Sequence, residues 1–210
     1  MPPGGFALGG FSPMVPGAEF GTIGVFRMLR WTRVLLAALL AMFLISQGEA
    51  KALDPENTLY LDLKDGRVVI EMRPDLAPNH VARIKELTRQ GFYNGVVFHR
   101  VIDGFMAQTG DPTGTGSGGS GKKLKAEFSS APHIRGTLSM ARTPDPDSAD
   151  SQFFICFAPS SFLDRQYTVW GRVVEGMEFV DQIKKGSQSA NGSVKDPDKI
   201  VKMQVAADVK

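Results

Sequence analysis

The sequence predicts a mainly β domain, a closed eight-stranded antiparallel barrel capped by two α-helices. Eight short segments after residue 57 alternate apolar and polar residues or are continuously apolar between turn signals, which is typical of strands. Only two segments carry apolar residues at helical spacing. Closure is expected because it removes the exposed edges that a sheet of short strands otherwise leaves. An open α+β sandwich is the alternative.

The predicted strands are separated by residues that favour turns. Residues 58–64 and 67–73 flank Asp65 and Gly66, a pair that suits the tight turn of a β-hairpin. The other six strands are predicted over residues 97–101, 105–108, 137–141, 152–157, 168–174 and 200–206.

The two predicted helices each end at a glycine. The first begins at Asn79, after a proline-containing break, and stops at Gly91, whereas the second covers residues 176–185 and stops at Gly186. The residues that carry the helical pattern are Val81, Ile84 and Leu87 in the first helix and Met177, Val180 and Ile183 in the second.

The N-terminal 52 residues have the order of an extension followed by an export signal. Residues 1–27 contain scattered Gly and Pro without periodicity, and we expect them to be disordered or to precede the true start at Met28. Within residues 28–52, arginines precede a run of 12 apolar residues, 34–45, and small residues follow it. A bilayer span needs about 20 apolar residues. We therefore expect a cleaved signal peptide rather than a retained anchor, leaving one domain over residues 53–210.

Charge and cysteine content exclude several kinds of partner. The chain has 24 basic and 22 acidic residues, and the two numbers become equal once residues 1–52 are removed. Without a basic surplus or a long basic run we expect no nucleic-acid binding, and membrane contact only through an uncleaved signal. The single cysteine, Cys156, lies in an apolar run and excludes an intramolecular disulfide. We expect a monomer.

Two patterns that suggest cofactors lack the context that such sites need. The spacing of Gly114, Gly116 and Gly119 matches a dinucleotide fingerprint, but no helix pattern follows it. We therefore expect a surface loop and no nucleotide. The histidines are far apart in sequence and have no ligand-type neighbour at metal-binding spacing, so neither a metal nor another cofactor is expected. They are His80, His99 and His133.

Residues 98–111 place an arginine, an aromatic residue, a methionine and a glutamine on two strand segments joined by a turn. A period of two puts Met106 and Gln108 on the same side of their strand. Arg100 and Phe105 are close to them in sequence, so the four side chains could converge on one surface. Composition alone favours an exposed arginine beside ordinary core residues.

Together with residues 136–141, 151–155 and 162–164, this block resembles the signature segments of cyclophilins in order and approximate spacing. The resemblance extends from about residue 58 to the C-terminus. It implies a peptidyl-prolyl cis/trans isomerase with a cyclophilin-like barrel. Together with the predicted signal, the departures from the commonest eukaryotic pattern resemble bacterial envelope cyclophilins, which implies a periplasmic enzyme that assists the folding of exported proteins. A weakly catalytic module or chaperone that binds proline segments is the alternative.

The resemblance also implies roles for individual residues. Arg100 would be the catalytic arginine and Gln108 its polar neighbour, acting on proline-containing polypeptides. Two pocket positions depart from the commonest pattern, since Phe162 stands where many cyclophilins have Trp and Tyr167 where many have His. The implied pocket and groove residues are Phe105, Met106, Phe154 and Leu163 for the proline ring, and Ala141 and Gln152 for the residues before it.

Overall fold

The structure, a computed structural model, describes residues 52–209. Residues 1–51 lie outside the described residues. They include the predicted extension, residues 1–27, and all of the predicted signal peptide, residues 28–52, except its last residue. None of the helices in the described part has the length and apolar character that crossing a membrane requires.

The described residues contain eight strands in one antiparallel sheet, as the sequence predicts. Along the sheet the strands follow the order β3-β4-β6-β5-β7-β2-β1-β8. The predicted hairpin of β1 and β2 is present, but its two turn residues are Lys64 and Asp65 rather than Asp65 and Gly66. Gly66 already pairs with Leu63 as the first residue of β2, and the ring of Phe179 packs where a side chain at position 66 would lie. The strands are β1 Thr58–Leu63, β2 Gly66–Met72, β3 Arg100–Ile102, β4 Met106–Thr109, β5 Thr137–Met140, β6 Phe153–Cys156, β7 Val169–Glu175 and β8 Lys202–Val205.

Both predicted helices are present, the second shorter than expected. Helix α1, Pro78–Arg89, begins with proline, whose missing N–H is not needed in the first turn, and buries its predicted apolar face. Helix α2, Met177–Asp181, stops well before Gly186. The reason is a competing acceptor, since the amide of Lys184 donates to the Asp198 carboxylate at 2.8 Å instead of to a helical carbonyl.

The prediction of a closed barrel is wrong. Strands β3 and β8 lie at the two ends of the sheet and do not pair. The segments before them approach each other through an isolated bridge between Val97 and Lys199. Pro197 has no amide hydrogen to extend this contact. The predicted strand 97–101 is accordingly split, so that its first residues form the bridge and β3 begins at Arg100.

Strand β6 separates two apolar clusters. Phe153 and Ile155 belong to the main core, whereas Phe154 and Cys156 belong to a smaller cluster on the other side of the strand. Strand β4 alternates in the same way, with Ala107 in the main core and Met106 in the small cluster. The small cluster, completed by Leu163, forms the base of the candidate site.

Candidate active site

A pocket of about 110 Å³ lies above the small apolar cluster and brings together most of the predicted site residues. Of the remaining two, Gln152 lines an adjoining groove, and Phe162 is 64% exposed at the rim. The ring of Phe162 packs against that of Phe105 with 5.4 Å between centroids. The pocket is lined by Arg100, Phe105, Met106, Gln108, Ala141, Arg142, Phe154, Leu163 and Tyr167.

Strand register explains why these residues meet. Arg100 on β3 pairs with Gln108 on β4, and Gln108 pairs in turn with Phe154 on β6. The three side chains therefore form a row across three neighbouring strands. Gly104 permits the turn between β3 and β4, because its φ of +67° is in the left-handed region that favours glycine.

Three hydrogen bonds fix the Arg100 guanidinium. Its Nη1 donates to Oε1 of Gln108 at 3.2 Å, its Nε to the backbone oxygen of Asn191 at 3.0 Å, and its Nη2 to Oδ1 of Asn191 at 3.0 Å. Burial lowers the pKa of Arg100, and no carboxylate in the described residues forms an ion pair with it. The pocket thus contains a fixed cation whose charge is not neutralised by a neighbouring acid.

A relay of amide groups connects this arginine to the glycine-rich loop. Nε2 of Gln108 donates to Oε1 of Gln152 at 2.9 Å, and Nε2 of Gln152 donates to the carbonyls of Gly116 at 3.0 Å and Gly118 at 2.8 Å. The loop is tied down by the buried carboxylate of Asp111. Desolvation raises the pKa of Asp111, but hydrogen bonds from Gly118, from Thr113 and from Gly116 together bring it well below its usual range. The loop that resembles a nucleotide motif therefore supports the groove wall.

A buried histidine lies behind the aromatic wall of the pocket. His133 stacks on Phe154 with 6.2 Å between ring centroids. Its Nδ1 lies 2.9 Å from Oδ1 of Asp164, and its Nε2 lies 3.0 Å from the hydroxyl of Ser139. Hydrogen bonds from the backbone amide and the ring of His133 lower the pKa of Asp164. This network fixes the orientation of Phe154 and of the turn that carries Leu163.

Most of the described residues match one family. Residues 43–205 match the family model for cyclophilin type peptidyl-prolyl cis-trans isomerase/CLD. The chain belongs to the cyclophilin family. A probable peptidyl-prolyl cis-trans isomerase of Brucella suis is 55% identical over 186 residues, which cover 83% of this chain and 95% of the relative. Peptidyl-prolyl cis-trans isomerase B of Bacillus subtilis is 43% identical over 132 residues, covering 61% of this chain and 92% of the relative. This cyclophilin is therefore a peptidyl-prolyl cis-trans isomerase.

Solved structures agree with this assignment. A cyclophilin from Hirschia baltica superimposes with a TM-score of 0.68 and 31% identity, covering 76% of this chain and 77% of that one. A cyclophilin type peptidyl-prolyl cis-trans isomerase from Cryptosporidium parvum, in the presence of the dipeptide Ala-Pro, gives a TM-score of 0.65 at 27% identity. That match covers 70% of this chain and 98% of the other.

Sequence reasoning missed two residues that organise the site of this cyclophilin. Asn191 holds Arg100 from 91 positions away, and no local pattern marks it except the following glycine. The sequence shows no carboxylate near His133 at metal-binding spacing, and the fold brings Asp164 to it from 31 positions away. Only the topology of the sheet places these residues together, so neither contact could be read from spacing.

Replacing Asn191 with glycine is expected to lower kcat/KM for isomerisation about 3- to 10-fold, the effect of losing one hydrogen bond worth about 1 kcal/mol at the arginine. Glycine suits the positive φ of 51° at this position, so the backbone should be preserved. Asn191→Asp keeps an acceptor at the same place but puts a carboxylate against Arg100, so it should hold the guanidinium in position while lowering kcat/KM by neutralising its charge. A glycine variant with wild-type kcat/KM in a protease-coupled assay would show that Asn191 does not position Arg100.

Proposed function

We propose that the mature chain acts as a monomer on X-Pro bonds of exported proteins and assists their folding, with Arg100 as the catalytic residue. The observation that carries the proposal is the fixed Arg100 guanidinium beside an apolar pocket. The pocket suits a proline ring because its lining is mostly apolar and aromatic. Met106, Phe154 and Leu163 form its buried base.

The reaction requires a stabilised twisted amide and no broken bond. Resonance gives the peptide C–N bond a rotation barrier of about 18 to 20 kcal/mol. When the bond twists, the prolyl nitrogen becomes pyramidal and can accept a hydrogen bond. A group that donates to this nitrogen only in the twisted state lowers the barrier, because it binds the transition state better than either isomer.

Arg100 is suited to that donation. A guanidinium has five N–H donors. Three are occupied by Gln108 and Asn191, which leaves one on Nη1 and one on Nη2 for a substrate. The apolar walls exclude water and so strengthen the interaction between this cation and the prolyl nitrogen. Gln108 orients the guanidinium through its side-chain carbonyl.

This mechanism predicts a turnover rate that is nearly constant between pH 6 and 9. Burial lowers the pKa of Arg100, but arginine starts from a value above about 12, so it loses its proton only on the alkaline side of this range. Burial raises the pKa of the nearby Cys156 thiol to about 12, so it stays neutral. A profile of kcat/KM against pH for a proline tetrapeptide tests this. A steep bell-shaped curve would require a titrating acid or base and contradict the mechanism.

Export is proposed from the order of basic, apolar and small residues in positions 28–52. Expression of the full chain in a Gram-negative host, followed by fractionation and mass spectrometry, tests it. We expect a periplasmic protein that begins at Leu53. The matched control, Leu39→Arg, interrupts the apolar run and should block export and cleavage. An uncleaved wild-type chain in the membrane fraction would indicate a retained anchor, and one in the cytoplasm would contradict export.

A further inference from the structure

Arg142 lies where the pocket joins a second, larger depression. It lines both the pocket around Arg100 and a groove of about 410 Å³ that extends toward the glycine-rich loop. Gln108 and Ala141 also line both the pocket and the groove. A polypeptide with proline in the pocket and its preceding residues in the groove therefore passes Arg142.

The guanidinium of Arg142 is fixed in place. Its Nε and Nη2 donate to the backbone oxygen of Gln166 at 3.1 and 2.9 Å, and its Nη1 donates to the oxygens of Thr143 at 2.9 Å and Pro144 at 3.3 Å. The guanidinium carbon also lies 4.5 Å from the ring centroid of Tyr167. Little side-chain entropy remains to be lost when this cation meets a ligand.

All the acceptors of Arg142 are neutral carbonyl oxygens, and no carboxylate of residues 52–209 forms an ion pair with it. Four of its five N–H groups are occupied by these bonds, which leaves one on Nη2. The charge is thus fixed, partly desolvated and not neutralised. Such a cation favours an anionic partner.

The other charged groups of the groove leave a positive surplus. Lys123 lines the groove and has no ion pair in the described residues. The one acidic lining residue, Asp150, accepts the amides of Ser120 at 2.8 Å and Gly121 at 2.9 Å and also bonds the Ser120 hydroxyl. Its carboxylate is therefore occupied by the loop, and Arg142 and Lys123 together outweigh its single negative charge.

We infer that Arg142 makes this enzyme select substrates with a carboxylate side chain within the two residues before the proline. The inference rests on the proposed proline pocket, because that pocket sets which substrate residues reach the groove. It names a class of substrate, acidic-X-Pro or X-acidic-Pro segments, that the isomerase reaction itself does not specify.

The test compares matched peptides in which Glu or Gln stands one or two residues before proline. For the mature wild-type enzyme, kcat/KM and the dissociation constant should favour Glu over Gln about 3- to 10-fold at one of the two positions in low salt. The preference should shrink at about 0.5 M salt, as expected for partly exposed charges. Arg142→Gln should bring the Glu-to-Gln ratio close to 1, Arg142→Lys should keep part of it, and Lys123→Gln should keep most of it.

Each outcome decides the matter. A wild-type ratio of 1 at both positions, or an unchanged ratio in Arg142→Gln, overturns the inference, and loss of the whole preference in Lys123→Gln moves the selection to Lys123. The proposed catalytic site is tested separately by turnover of the Gln peptides. If these bind but are not isomerised, the role of Arg100 fails, while the ratio of dissociation constants still confirms or refutes the role of Arg142.

Discussion

Replacing Arg100 with alanine is expected to lower kcat for isomerisation about 100- to 1000-fold, the usual effect of removing one fixed donor from developing charge in a transition state. Peptide affinity should fall less than about 10-fold, because the apolar pocket proposed to hold the proline ring remains intact. The two quantities can be measured on one tetrapeptide, kcat by a protease-coupled assay and affinity by calorimetry.

Two further arginine variants serve as controls for Arg100→Ala. Arg67→Ala removes an exposed arginine on β2 that is paired with Asp62 and lies outside the pocket, so it should leave turnover unchanged. Arg100→Lys keeps the charge but lacks the planar guanidinium that donates to Gln108 and Asn191 at the same time. It should therefore recover only a small part of the isomerisation rate. Equal losses of turnover and affinity in Arg100→Ala would reduce Arg100 to a docking residue.

Replacing Gly110 with alanine is expected to lower the free energy of unfolding by about 2 to 5 kcal/mol, the combined effect of a strained backbone and overpacking. Gly110 has a φ of +91°, and a Cβ there would lie 2.3 Å from the backbone oxygen of Ser151 and 2.8 Å from Cα of Gln152. Backbone atoms cannot move aside as a side chain can. Denaturant titration of the mature domain measures the loss.

Gly95 offers a matched control for the steric part of this loss. Its φ of +81° is also left-handed, but a Cβ there meets nothing within 4 Å. Gly95→Ala should therefore cost only about 1 kcal/mol, the conformational penalty alone. Equal losses in the two variants would mean that the close approach between Gly110 and Ser151 contributes nothing, contrary to the prediction.

Local patterns predicted those features of the fold that depend on near neighbours in sequence. The β1–β2 hairpin, the buried face of α1 and the shared side of Met106 and Gln108 on β4 follow from turn chemistry and periodicity, although the hairpin turns one residue earlier than predicted, at Lys64 and Asp65. Closure could not be predicted in this way. Closure depends on whether the first and last strands of the sheet, about a hundred residues apart in sequence, can pair with each other. Here Pro197 and a three-residue β3 limit the contact between these segments to isolated bridges.

In the candidate site, too, the residues that are close in sequence could be predicted and the long-range contacts could not. Arg100, Phe105, Met106 and Gln108 lie within nine positions, so the sequence showed them together, and the resemblance to cyclophilins added the distant Phe154 and Leu163. The contacts of Asn191 with Arg100 and of Asp164 with His133 join segments whose meeting depends on tertiary structure alone. A single sequence contains no local signal for such pairs.

The amide relay from Arg100 through Gln108 and Gln152 to the carbonyls of the glycine-rich loop joins the reacting group to the protein surface. At its other end, Asn191 ties the same arginine to a second exposed turn. It follows that turnover can be tuned from outside the pocket. We therefore expect substitutions in these two surface loops to change the turnover of this isomerase even when every residue of the proposed proline pocket stays the same.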